Sequence, residues 1–140
     1  MPFIGPFEDR LAIHELVMSY GDAVTRRDAD AWIANWAEDA VWKLPAIPGM
    51  ERIEGREAIL EAWLAAMPGW PFQVNIQTPG SIEIDGDRAW GHSYTRELNS
   101  DTEGKTERWT NRYDDEWVKR DGRWLFASRS LEVLHIEVLK

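Results

Sequence analysis

The apolar residues of this chain recur at helical spacing through its first half and switch to strict alternation in its second, and that switch restricts the fold more than any other feature. Between Asp9 and Arg27, Leu11, Ile13, Leu16, Val17, Tyr20 and Val24 make one helical stripe, with acids early and Arg26-Arg27 at the end, where they complement the helix dipole. Asp28 is placed to cap a short second helix carrying Trp32, Ile33 and Trp36. A strand from Val41 to Leu44 stops at Pro45, and the loop to Gly55 has room for a short edge strand at Glu51 to Ile53. The spacing then predicts a third helix from Arg56 to Met67, with Ile59, Leu60, Trp63, Leu64 and Met67 on one face and Pro68-Gly69 as its stop.

From Phe72 onward the period is two. One long strand runs from Phe72 to Ile84 with a bulge or bend at Pro79-Gly80, where an N–H is missing and glycine is permissive. Further strands are expected from Ala89 to Leu98, Thr106 to Lys119 and Trp124 to about Val138, separated by turns at Asp85-Gly86-Asp87, Asn99 to Gly104 and Arg120-Asp121-Gly122. Helices gathered at one end of such a meander can cover only one face, so the sheet must curl around the first and third helices. The expected class is α+β: a curved antiparallel sheet packed on N-terminal helices, enclosing an apolar pocket, in one domain over residues 1–140.

Composition removes several function classes. A net charge of −9 repels nucleic-acid phosphates and anionic lipid, and the basic residues offer only isolated pairs, Arg26-Arg27 and Lys119-Arg120, so neither a nucleic-acid nor a membrane partner is expected. The absence of cysteine removes disulfide and thiolate chemistry and suits a reducing cytoplasm. No segment approaches the roughly 20 apolar residues of a membrane span, and the first ten residues lack a signal-peptide pattern, so the expected location is cytoplasmic. His14, His92 and His135 show no metal-ligand spacing and the glycines stand singly in turns, so no metal and no nucleotide or other cofactor is expected. Nine tryptophans build either a heavy core or an aromatic-lined cavity. An alternating apolar sheet face that helices cannot cover implies a homodimer or higher homo-oligomer.

Particular runs carry a resemblance. Asp9-Arg10-Leu11-Ala12-Ile13-His14-Glu15-Leu16, Tyr20, Arg26-Arg27-Asp28-Ala29-Asp30-Ala31-Trp32, Ala37-Glu38-Asp39-Ala40-Val41-Trp42 and Gly55-Arg56-Glu57-Ala58-Ile59 resemble the first half of a SnoaL-like domain of the nuclear transport factor 2-like superfamily. Ile82-Glu83-Ile84-Asp85-Gly86-Asp87-Arg88-Ala89 and Asp121-Gly122-Arg123-Trp124-Leu125-Phe126 resemble its later hairpins. The resemblance implies a cone-shaped, cystatin-like α+β barrel. It leaves activity open, because dehydratases, dehydrochlorinases, ketosteroid isomerases, epoxide hydrolases, cyclases and dioxygenase β subunits share the fold. The dehydratase-like members carry an Asp–His dyad; the matching positions here are Thr25 and Asn75, neither of which can abstract a proton at neutral pH. Asp22, one turn before Thr25, could in principle substitute for the dyad aspartate, although it would then point elsewhere around the helix.

Other cavity positions implied by the resemblance retain polar chemistry. Tyr20 and Arg129 stand where relatives place a tyrosine or lysine and an arginine, and Glu97 stands close to where some place a second acid. The expected catalytic set is therefore Glu97 as proton shuttle, Arg129 to orient it or hold an anionic substrate group, and Tyr20 with Asn75 to polarise an oxygen. Gln73, Asn75 and Gln77 share one strand face and Trp109, Asn111 and Tyr113 another; Trp42, Trp70, Gln73, Trp109, Asn111, Tyr113, Thr25 and Thr95 complete the expected substrate-binding surface. On the strand bearing Glu97, Trp90, His92 and Tyr94 are bulkier than Gly91, Ser93 and Thr95, so pattern alone leaves its inward face open. The reading that follows is a cofactor-independent lyase or isomerase moving a proton in elimination, isomerisation or cyclisation of a small hydrophobic, aromatic or polycyclic molecule. The alternatives are a non-catalytic binding or assembly subunit of dioxygenase β-subunit type, and epoxide-hydrolase-like water activation.

Overall fold

A computed structural model describes residues 2–139. The chain opens with a short strand, β1 (Phe3–Ile4), that the sequence pattern does not reveal. Helix α1 (Phe7–Arg26) starts after Pro6, places Glu8 and Asp9 in its first turn, and stops at Arg27, whose left-handed backbone (φ 55°) turns its N–H back onto the Ala23 and Val24 carbonyls. Asp28 caps α2 (Ala29–Ile33) as expected, its Oδ1 accepting the Ala31 N–H at 3.0 Å. Trp36 does not belong to that helix. It opens β2 (Trp36–Lys43), because the Asn35 carbonyl accepts the Phe126 N–H and docks this segment beside the last strand. After β3 (Ile53–Glu54) come α3 (Arg56–Ala66), a 3-10 turn at Met67–Gly69, and then β4 (Phe72–Asp85), β5 (Arg88–Ser100), β6 (Thr106–Arg120) and β7 (Arg123–Leu139).

The strands form one curved, unclosed sheet in the order β1-β4-β5-β6-β7-β2-β3. Pairing within the β4 to β7 meander is antiparallel, whereas β1 joins β4 and β2 joins β7 in parallel. The sheet is therefore mixed, and the all-antiparallel expectation is corrected at both ends. Each parallel edge comes from the helical half of the chain, so its strands are separated by long connections rather than by hairpins. The expected irregularity at Pro79-Gly80 is present: Pro79 pairs with Ser93 and Ser81 with His92, leaving Gly80 unopposed and bending β4.

Helix α1 lies in the concavity with Ile13, Leu16, Val17, Tyr20 and Val24 buried. Gly21 permits its closest approach to β4, since a Cβ there would stand 2.8 Å from the Asn75 carbonyl oxygen. Trp32, Trp36, Trp117 and Phe126 are fully buried, and Trp32 stacks on Trp63 at 4.6 Å. Truncating such an aromatic to alanine typically costs roughly 3–5 kcal/mol. The convex face exposes Ile76, Trp90 and Tyr94. Among the described residues no helix is long and apolar enough to cross a membrane.

Candidate functional site

The core does not fill the concavity. A cavity of about 290 Å³ lies between α1, α3 and the sheet. Its apolar wall is Val24, Leu44, Ile47, Met50, Met67 and Leu131, with Trp42, Trp63, Trp70 and Trp109; Tyr20, Gln73, Asn75, Glu97, Asn99, Asn111 and Tyr113 form the polar side. A wider groove of about 580 Å³ around His92, Asp114 and Ser128 has the more polar lining. The smaller cavity is the better candidate because it joins apolar walls to convergent polar groups.

Strand alternation delivers Glu97 to it. Ser93 and Thr95 are fully buried while Trp90 and Tyr94 are exposed, so the small residues of β5 face inward and Glu97 and Asn99 share their phase. Four side chains donate to the Glu97 carboxylate: Gln73 Nε2 (3.1 Å) and Asn99 Nδ2 (3.4 Å) to Oε1, and Thr95 Oγ1 (3.1 Å) and Asn111 Nδ2 (2.6 Å) to Oε2. Burial raises the Glu97 pKa above the usual carboxylate range, against the pull of the donors from Asn99, Thr95, Gln73 and Asn111. The amide oxygens of Gln73, Asn99 and Asn111 are left buried without a partner among the described residues.

Arg129 is elsewhere. Its guanidinium is fully buried; Nε and Nη2 donate to Asp115 (2.7 and 3.2 Å) and Nη1 donates to Gln77 Oε1 (2.8 Å). The Tyr113, Phe126 and Tyr20 rings stand 3.8, 4.2 and 4.5 Å from its Cζ. Burial is the largest influence and works against the Arg129 charge, but Asp115 together with Tyr20 and Tyr113 outweighs it and keeps the pKa above its ordinary value. The expected meeting of Glu97 and Arg129 therefore does not form, and Arg129 is not among the described residues that line the cavity. Asp115, which the sequence pattern gave no reason to single out, binds the cation first, and it also accepts the Ser93 hydroxyl at 2.6 Å.

Other expected residues fall into two sets. Tyr20, Asn75, Trp42, Trp70, Gln73, Trp109, Asn111 and Tyr113 line the cavity with Glu97. Tyr113 Oη accepts the Trp42 indole N–H at 3.2 Å, and Trp70 meets Trp109 edge to face at 6.1 Å. Burial raises the pKa of both Tyr20 and Tyr113, so both stay protonated. Thr25 and Thr95 do not line the cavity. Thr95 supports Glu97 from behind, and Thr25 binds the β4 backbone: its Oγ1 accepts the Asn75 N–H (2.9 Å) and lies within donating distance of the Asn75 and Gly21 carbonyls (3.2 and 2.9 Å). Asp22 is exposed and paired with Arg26 at 2.9 Å, so it replaces neither. Asn99, which the sequence places in a turn, is on the site because β5 runs on to Ser100. Two residues past Glu97, it was reachable by the same alternation. Leu44, at the end of the expected strand, and Ile47 and Met50, in the expected loop after it, also line the cavity, and no periodicity in that segment singles them out.

Residues 6–130 match the family model described as a SnoaL-like domain, and the chain belongs to that family. Among solved structures, it is similar to a type 2 hexachlorocyclohexane dehydrochlorinase, LinA, at 23% identity and TM-score 0.84, covering 95% of this chain and 90% of that one. The type 3 LinA from Novosphingobium barchaimii LL02 gives 22% identity and TM-score 0.83 over 94% and 90% of the two chains. A protein from Novosphingobium aromaticivorans DSM 12444 described as scytalone dehydratase-like gives 18% and 0.84 over 95% and 89%. These likenesses are likenesses of fold. No curated protein matches the sequence.

Proposed function

We propose that this chain is a cofactor-independent lyase or isomerase in which Glu97 takes a proton from a small, largely apolar ligand. The observation that carries the reading is that Glu97 is the one carboxylate among the described cavity-lining residues, desolvated against tryptophan walls yet held by four donors. Asn75 lies directly across from it in the β4–β5 register, so its amide is beside the base. Glu97 removes a proton from carbon next to a carbonyl, the electron pair moves onto the oxygen, and Asn75 with the Tyr113 hydroxyl stabilises the oxyanion. Collapse of the enolate then either expels a group from the neighbouring carbon, which is elimination, or takes the proton back at a different carbon, which is isomerisation. Dehydrochlorinase and scytalone dehydratase names among the structural neighbours favour elimination.

The test is hydrogen–deuterium exchange into the α-position of the two-ring ketone α-tetralone in deuterated buffer, with hexachlorocyclohexane and scytalone assayed for turnover alongside. Wild type should accelerate exchange and Glu97→Gln should lose about 10²–10⁴ of the rate while still binding the ketone. Equal exchange by both proteins overturns the assignment. Binding without exchange or turnover in wild type supports the second reading, a binding module, which the threonine and asparagine at the dyad positions favour.

A further inference from the structure

Arginine carries N–H donors and no acceptor, so any group it bonds must turn an acceptor toward it. Arg129 Nη1 donates to Gln77 Oε1 at 2.8 Å, and this forces the Gln77 NH2 the other way, where it donates to Asn75 Oδ1 at 3.0 Å. With its oxygen engaged, Asn75 has only Nδ2 to offer the cavity it lines. Reversing the Asn75 amide would set two N–H groups against each other. Water does not relieve that conflict, since Arg129, Gln77 and Asn75 are 0%, 4% and 8% exposed. Asp115 anchors the cation end, and Thr25 pins the Asn75 backbone. Glu97 imposes the opposite sense on its own neighbours, drawing the NH2 groups of Gln73, Asn99 and Asn111 toward itself. A buried cation thus sets a donor, and a half-buried carboxylate sets an acceptor, on adjacent strands of one cavity.

We propose that Gln77, which does not line the cavity, is a positioning residue that determines specificity: through the Arg129–Gln77–Asn75 relay it keeps Asn75 Nδ2 aimed inward, so the site takes ligands whose acceptor, a carbonyl or phenolate oxygen, lies beside the C–H facing Glu97. This rests on the cavity being the ligand site, as proposed above. The relay also gives Arg129 a part in recognition without contact: its charge is read through two amides.

Gln77→Glu is the discriminating variant. A carboxylate at position 77 accepts from Arg129 and from Asn75 Nδ2 together, which turns Asn75 Oδ1 into the cavity and inverts its polarity. The probes are α-tetralone and its hydrocarbon counterpart tetralin, with binding read by quenching of the cavity tryptophans. Wild type should prefer the ketone by about tenfold, as expected for one good hydrogen bond. Gln77→Glu should abolish that preference while tetralin affinity stays within about twofold, and Gln77→Met, which frees the Asn75 amide to rotate, should reduce it. An unchanged preference in either variant overturns the relay. Should neither variant fold, the wild-type Asn75 side-chain amide signals in a ¹⁵N-labelled sample decide: a shift with α-tetralone but not tetralin supports the proposal, and equal responses overturn it. Absence of proton exchange in wild type, with its ketone preference intact, would instead fault the role given to Glu97 and leave the relay standing.

Discussion

Asn75 and Glu97 are register partners across β4 and β5, so an amide oriented by a buried cation stands next to a carboxylate that has no cationic partner among the described residues. The positive charge that the family resemblance implies for Glu97 is held by Asp115 on the next strand. Charge in this concavity is thus divided into a neutralised pair, away from the cavity, and a lone acid within it.

The lone acid should lower stability. Glu97→Gln removes a desolvated charge and supplies an NH2 that one of the unpartnered amide oxygens of Gln73, Asn99 or Asn111 can accept after rotation. Near neutral pH we expect the variant to be more stable by about 1–2 kcal/mol, a rise in Tm of about 3–8 °C. The pH dependence has a definite sign. Because burial raises the Glu97 pKa in the folded state, the folded protein holds its proton more tightly than the unfolded chain, and stability is lost as pH rises from the ordinary carboxyl range through the folded pKa. The gap between variant and wild type should widen over that interval in paired urea titrations. A gap that narrows with rising pH contradicts the assignment.

The neutralised pair should behave in the opposite way. Asp115→Asn leaves the fully buried Arg129 guanidinium without a counter-charge and should cost about 3–5 kcal/mol in urea denaturation. Replacing both partners, Asp115→Leu with Arg129→Met, should recover much of that loss. Exposed pairs set the contrast: Asp39→Asn breaks a two-pronged contact with Arg120 at the surface and should leave the urea midpoint unchanged.

Helix α1 and strand β4 meet where a side chain has no room. Gly21→Ala improves helix propensity by about 1 kcal/mol, but its Cβ would press on the Asn75 carbonyl oxygen at 2.8 Å, and that oxygen is backbone. Steric cost wins: the variant should be destabilised by about 1–3 kcal/mol. It should also weaken the Asn75 N–H bond to Thr25 Oγ1, seen as faster amide exchange at Asn75 than at strand positions remote from α1.

Much of the fold and about half of the site are legible in the residues themselves. Alternation places Gln73, Asn75 and Gln77 on one face and Trp109, Asn111 and Tyr113 on another, because the period of two survives any curvature of the sheet. The parallel docking of β2 on β7 is not legible, since nothing local records which distant strand an edge will join. The same limit hides Asp115. It reads as one acid among 25, and only the β6–β7 register, which sets it opposite Arg129, gives it meaning. Pattern leaves the inward face of β5 undecided because bulk does not decide burial there: Ser93 and Thr95 go inside beneath the packed helices, and Trp90 and Tyr94 remain on the convex surface.

The closest donor to Glu97 offers the sharpest test of its role as base. Asn111 Nδ2 lies 2.6 Å from Oε2 and also donates to Thr95 Oγ1 at 2.9 Å. Asn111→Asp replaces that donor by a second carboxyl of nearly the same shape. Two acids at such a separation cannot both ionise readily, so they share a proton and the upper pKa of the pair moves further above the ordinary carboxylate value. A base must be ionised to act, so α-tetralone exchange should climb with pH along a limb displaced to higher pH than in wild type, with the rate at its high-pH plateau reduced less than the rate near neutrality. An Asn111→Leu variant supplies the control: it loses the same hydrogen bond without adding charge, so burial and the remaining donors alone set its profile, and its limb should lie below that of Asn111→Asp. Superimposable limbs for Asn111→Asp and wild type would mean that the exchanging group is not Glu97.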